Sequence, residues 1–139
     1  MSRRTAAVLA VVALFATALS GCSWSGVPAE GCVPVIVVSP STVAPGDMIT
    51  LSSDTPCDVT MPDGGWSIAV APVGAGDEPL ALATTDAPFD GSFEVTVRLP
   101  TDFPEGDAFA RVDNWDYSFC SGAGSGSCAS ASGDFTVGR

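Results

Sequence analysis

The chain has 139 residues, 16 acidic side chains against 5 basic ones and a formal net charge of −11, which is one small domain's worth of material plus whatever is removed in processing. The basic residues are Arg3, Arg4, Arg98, Arg111 and Arg139, so lysine and histidine are both absent; a Schiff-base or Walker lysine, a Ser-Lys dyad, a histidine general base and a histidine metal ligand are thereby excluded. The shortage of cations also removes the electrostatic footprint that nucleic-acid binding needs.

Residues 1–21 read as an export signal, with Arg3 and Arg4 at its start, an apolar stretch over residues 6–19 and small residues at a cleavage point. The apolar stretch is shorter than the roughly 20 residues that span a bilayer as a helix. Leu19-Ser20-Gly21-Cys22 resembles the lipobox of bacterial lipoproteins at all four positions. The resemblance implies that the Cys22 thiol takes a diacylglycerol and that Cys22 becomes the acylated N-terminus after cleavage, whereas an ordinary signal peptide would leave it a plain cysteine. Several acyl chains hold a protein durably on a membrane, so the mature protein is expected at the outer face of the cell membrane, anchored without spanning it. Cleavage would leave 118 residues in which three arginines face 16 acidic side chains, a net charge of −13. Residues 22–31, rich in Gly, Ser and Pro, read as a lipidated flexible tether, and residues 32–139 as the folded domain.

From residue 33 onward, alternation with a period of two recurs and helical spacing does not. Residues 33–38 form a largely β-branched run interrupted by Pro34, the mark of an edge strand or a strand start. A turn at Ala44-Pro45-Gly46 precedes a strand marked by Ile49 and Leu51. If these two strands pair as an antiparallel hairpin, facing residues have numbers that sum to about 89, a condition that Cys32 and Cys57 meet. With Cys22 committed to lipid, four cysteines remain, and an even remainder in an exported domain reads as two disulfides. Cys32–Cys57 would close the far end of the hairpin. Cys120–Cys128 would close a Ser-Gly-Ala-Gly-Ser-Gly-Ser loop. A four-cysteine zinc site lacks the paired short spacings that such sites use.

Trp66, Ile68 and Val70 alternate with Ser67, Ala69 and Ala71; Leu80 and Leu82 mark another short strand; and over residues 92–99, Phe93, Val95, Val97 and Leu99 share one face while Ser92, Glu94, Thr96 and Arg98 share the other. With turn signals between them, these segments make six to eight short strands, the pattern of a β-sandwich. Val38-Ser39-Pro40-Ser41-Thr42-Val43-Ala44-Pro45-Gly46-Asp47, Asp90-Gly91-Ser92-Phe93 and Pro104-Glu105-Gly106-Asp107 resemble the Ig-like modules of bacterial, particularly actinobacterial, surface proteins. The resemblance implies an all-β, Ig-like antiparallel β-sandwich of about seven strands, with the Pro-Gly-Asp turn between the first two strands, the Gly-x-Phe segment as strand E and the Pro-x-Gly turn leading into strand F. The cysteines do not occupy the positions of an antibody-type inter-sheet bridge.

Three groups remain as candidates for chemistry. Asp113, Asn114 and Asp116 place three oxygen-bearing side chains close together, as a calcium site would, though without a known calcium-loop pattern. Gly122, Gly124 and Gly126 resemble a phosphate cradle but lack a following helix or a basic residue. Trp115, Tyr117 and Phe119 would share one face of an unbroken strand, while Ala108, Ala110 and Val112 take the other. Either a bulge near Asp113-Asn114 buries the aromatics, or they form an exposed strip that marks a binding site. Neither a cofactor nor a resident metal is expected. The functional expectation is a lipid-anchored, non-catalytic, Ig-like cell-surface module with a binding or structural role, its partner an unidentified cell-surface protein or small ligand. Its alternative is a small-ligand carrier similar in architecture to the enediyne chromoprotein apoproteins, which are also acidic Ig-like sandwiches with two local disulfides. A deep apolar cleft beside the hairpin of strands F and G would favour the carrier, and a flat surface would favour protein contact.

Overall fold

The computed structural model describes residues 31–76, 78–121 and 128–138. The signal segment, Cys22 and nearly all of the tether lie outside the described residues, as do Gly122, Gly124 and Gly126. Among the described residues eight strands form two sheets. β1 (Val37–Ser39), β3 (Met48–Ser53) and β6 (Phe93–Arg98) make a three-stranded sheet in the order β1-β3-β6. β2 (Thr42–Val43), β8 (Ser132–Val137), β7 (Gly106–Val112), β4 (Trp66–Pro72) and β5 (Ala81–Thr85) make a five-stranded sheet in that order.

The first hairpin has the register that the cysteine spacing predicts: Val37 faces Ser52, Val38 faces Leu51 and Ser39 faces Thr50, each pair summing to 89. Beyond the end of that ladder, Cys32 and Cys57 are joined with their Cα atoms 5.7 Å apart; Cys120 and Cys128 are joined likewise at 5.9 Å. The strand count is one above the expected seven because the first strand is divided. Pro40 has no N–H to continue a ladder, and past it the chain leaves β3 and joins the other sheet as β2. There it runs parallel to β8, with Thr42 facing Thr136, so the sandwich is not wholly antiparallel as expected; every other strand pair is antiparallel.

The core lies between the sheets and follows the period-two pattern. Phe93, Val97 and Leu99 are buried while Glu94, Thr96 and Arg98 face solvent; opposite them Ala108, Ala110, Val112, Phe135 and Val137 fill the second layer. β4 departs from the pattern. Ala69 and Ala71, on its outer face, are as buried as Ile68 and Val70 on its inner face. Their cross-strand neighbours explain this: Ala69 lies between Leu82 and Arg111, and Ala71 lies opposite Phe109. Larger side chains thus flank two small ones, and the Arg111 guanidinium sits 5.6 Å from the Phe109 ring centre.

The two sheets meet most closely where β1 approaches β8. A Cβ placed on buried Gly133 would lie 2.6 Å from the Ile36 carbonyl oxygen and 3.0 Å from a Val38 methyl. Backbone cannot yield as a flexible side-chain end does, so Gly133→Ala is expected to destabilise the domain by about 1–3 kcal/mol, the usual cost of overpacking. A thermal melt should read this as a fall of several degrees, whereas Gly138→Ala, with open space around its Cα, should leave the midpoint within about a degree.

Candidate functional site

Three connections converge at one end of the sandwich: residues 54–65 between β3 and β4, residues 86–92 between β5 and β6, and, of the connection between β7 and β8, the described residues 113–121 and 128–131. The entering segment at Cys32 joins them through its bond to Cys57. The isolated bridge between Pro56 and Asp90, together with the hydrogen bond from the Cys57 N–H to the Phe89 carbonyl at 2.7 Å, ties the first connection to the second.

The third connection is held by Asn114. Its Oδ1 accepts the Ser67 N–H at 2.9 Å and its Nδ2 donates to the Gly65 carbonyl at 3.0 Å, while the Asp113 N–H donates to the Ser67 carbonyl at 2.7 Å. A side-chain amide therefore replaces a strand residue beside the start of β4. Gly65 makes the arrangement possible: its φ is +84°, and a Cβ there would come within 2.6 Å of the Thr85 carbonyl oxygen, so both conformation and space require glycine.

β7 stops at Val112, and the turn at residues 113–114 ends the alternation that would have aligned the aromatic side chains. Trp115, Tyr117 and Phe119 consequently do not form an exposed strip. Trp115 is buried, 5.1 Å from Trp66 in a stacked pair and 5.1 Å from Phe89 in an edge contact; Phe89 in turn stacks on Phe93 at 4.0 Å. Tyr117 is half-buried and its hydroxyl accepts the Ala131 N–H at 2.7 Å, pinning the start of β8. Phe119, also half-buried, lies in the 3-10 turn Ser118–Ser121 that leads to Cys120. Burial of the aromatics was the bulge alternative; the structure achieves it by ending the strand.

The calcium candidates are turned to separate partners. Asp113 accepts the Arg111 Nε–H at 2.8 Å, Asn114 is the clamp just described, and an Asp116 carboxylate oxygen accepts the Ser118 N–H at 2.8 Å. That hydrogen bond is the main reason the Asp116 carboxyl is held below the ordinary aspartate value, since it stabilises the charged form. Among the described residues no three carboxylate or thiolate side chains are placed to share a metal ion.

What these elements enclose is a cavity of about 570 Å³, within the size range of small-ligand sites. Trp66 and Trp115 form its floor. Asp58, Val59, Thr60 and Pro62, with Asn114, Asp116, Ser118, Phe119 and Cys32, also line it among the described residues. Trp66 also lines a smaller neighbouring cavity of about 410 Å³, with Cys57, Met61 and Phe89. Trp66 is 3% exposed and its indole N–H meets no acceptor among the described residues, an uncommon state for a buried donor. Sequence reading identified Trp115 and Phe119 but missed Asp58, Thr60, Pro62 and the role of Trp66, because those residues carry no periodicity and come together only through the Cys32–Cys57 bond and the Asn114 clamp.

Fold and site together define a disulfide-stapled β-sandwich with an aromatic-floored cavity at the loop end. Comparisons of the chain with known protein families, curated proteins and solved structures find no match.

Proposed function

We propose that this chain is a lipid-anchored, non-catalytic Ig-like module at the outer face of the cell membrane, and that it holds a small ligand in the cavity floored by Trp66 and Trp115. That cavity is the observation that carries the reading: it is of small-molecule size, largely aromatic on its floor and stiffened by a disulfide at its edge. A concave site of this size beside the 3-10 turn Ser118–Ser121 supports a carrier over a module that presents a flat face to a protein partner. The Ig-like assignment is supported by the strand order, in which β1, β3 and β6 stand as strands A, B and E and β4, β7 and β8 as C, F and G. Fold alone licenses no activity; without histidine or lysine the cavity has neither a histidine base nor a lysine nucleophile, and its carboxylates, Asp58 and Asp116, are read as binding groups.

Fractionation and mass measurement of the full chain from a lipoprotein-processing bacterium test the reading. The expected result is a membrane-bound protein whose first residue is Cys22 carrying a diacylglycerol, and a Cys22→Ala variant released from the membrane. Extraction in mild detergent followed by native mass spectrometry should then show a small molecule bound one to one. A Cys22→Ala variant that stays on the membrane would refute the anchor, and a protein free of ligand would refute the carrier.

A further inference from the structure

Resting on the small-ligand reading above, we propose that the cavity selects an organic cation: a protonated amine on a flat apolar body that also carries an oxygen acceptor. Three observations converge on this chemistry. Asp58 and Asp116 both line the cavity and are exposed, so their carboxylates are accessible to a ligand. No cation opposes them there, because the two arginines of the described residues are held elsewhere: Arg98 donates to the Gly46 carbonyl at 2.9 Å and Arg111 pairs with Asp113. A cleft lined by one sign of charge, in a domain whose overall charge has the same sign, concentrates counter-ions of the opposite sign.

The aromatic floor sets the second requirement. Trp66, Trp115 and Phe119 offer polarizable apolar surface, which favours a flat body and is also the surface that organic cations prefer. The third requirement comes from Trp66. Trp66 lines the cavity and its buried N–H lacks an acceptor among the described residues; a buried donor left unpaired costs free energy, which a ligand oxygen that reached it would recover. An anionic ligand would meet two carboxylates and, among the described residues, no positive partner; a purely apolar one would leave the carboxylates unanswered.

Isothermal titration of the mature domain with three isosteres isolates the charge. Tyramine, tyrosol and 3-(4-hydroxyphenyl)propionate share a phenol body with an oxygen acceptor and differ in bearing an ammonium, a hydroxyl or a carboxylate. The expected order is tyramine tightest by at least tenfold, tyrosol next and the propionate without measurable heat, with tyramine binding weakening as salt rises. Asp58→Asn/Asp116→Asn should weaken tyramine at least tenfold more than tyrosol, while the melting temperature confirms that the variant is folded. Equal binding of tyramine and tyrosol would overturn the cation proposal and leave the small-ligand reading standing. Absence of heat from all three would overturn the proposal and, together with a ligand-free protein in native mass spectrometry, the small-ligand reading as well.

Discussion

Trp115→Ser is expected to lower the melting temperature by more than about 10 °C. The Trp115 ring is 6% exposed and touches Trp66 face to face and Phe89 edge to face, so its removal opens a void beneath the cavity that backbone held by Asn114 and by the Ala131–Tyr117 hydrogen bond is poorly placed to refill. Truncating a buried tryptophan costs about 3–5 kcal/mol. Set against a total stability of about 5–15 kcal/mol, that is a large fraction. For a domain of this size each kcal/mol moves the midpoint by about 4 °C or somewhat more. Melts followed by near- and far-ultraviolet circular dichroism check it. An unchanged midpoint would mean that the ring lies at the surface, as the exposed-strip alternative has it.

The second large effect concerns the staples. Replacing Cys32 and Cys57 together with alanine is expected to cost about 3.5 kcal/mol, and replacing Cys120 and Cys128 about 2.5 kcal/mol, from the entropy of closing loops of 25 and 8 residues respectively in the unfolded chain. The order matters more than the absolute sizes. The first bond also joins the entering segment to the loop that lines both cavities, with Cys32 at one and Cys57 at the other. Its loss should therefore weaken ligand retention as well as stability. Urea denaturation of the two double variants, each against the wild-type protein, reads the order directly. A larger cost for the Cys120–Cys128 pair would show that the long-range bond is not the one organising this end of the fold.

Much of the sandwich was legible in the sequence because its strands are half-buried and short. The faces of β6 and the inward residues Ala108, Ala110 and Val112 follow alternation alone, and the turn at Pro45-Gly46 set the register in which Cys32 meets Cys57. The division of the first strand at Pro40 was less legible, since the same residues pair in either sheet and only the three-dimensional proximity of β8 decides where Thr42 goes. The aromatic segment was misleading for a specific reason. Period-two reading continues until something stops it, and what stops β7 is Asn114, a side chain that bonds to the backbone at Gly65 and Ser67 some 50 residues earlier in the chain. The cavity itself lay beyond sequence reasoning, because residues 58–62 and 114–119 approach each other only in the folded domain.

The cavity also gives the acidic composition a local meaning. Most of the carboxylates belong to turns and solvent-facing strand positions, but Asp58 and Asp116 stand beside tryptophans, where a charge has apolar company for a ligand to match. If the tether ends at a lipidated Cys22, the chain enters the domain at Cys32, a residue of the cavity wall, so the ligand site would lie within a short tether's reach of the membrane.

The most direct measurement of the central claim is native mass spectrometry of the wild-type protein and of Phe119→Ala, both extracted from membranes under the same mild conditions. Phe119 is half-buried and lines the cavity, so its truncation should enlarge the site while retaining a melting transition. The predicted result is a one-to-one small-molecule adduct on the wild-type protein that is lost or much reduced in the variant. Bare protein in both samples, or an adduct retained equally by both, would contradict the assignment of this cavity as the ligand site.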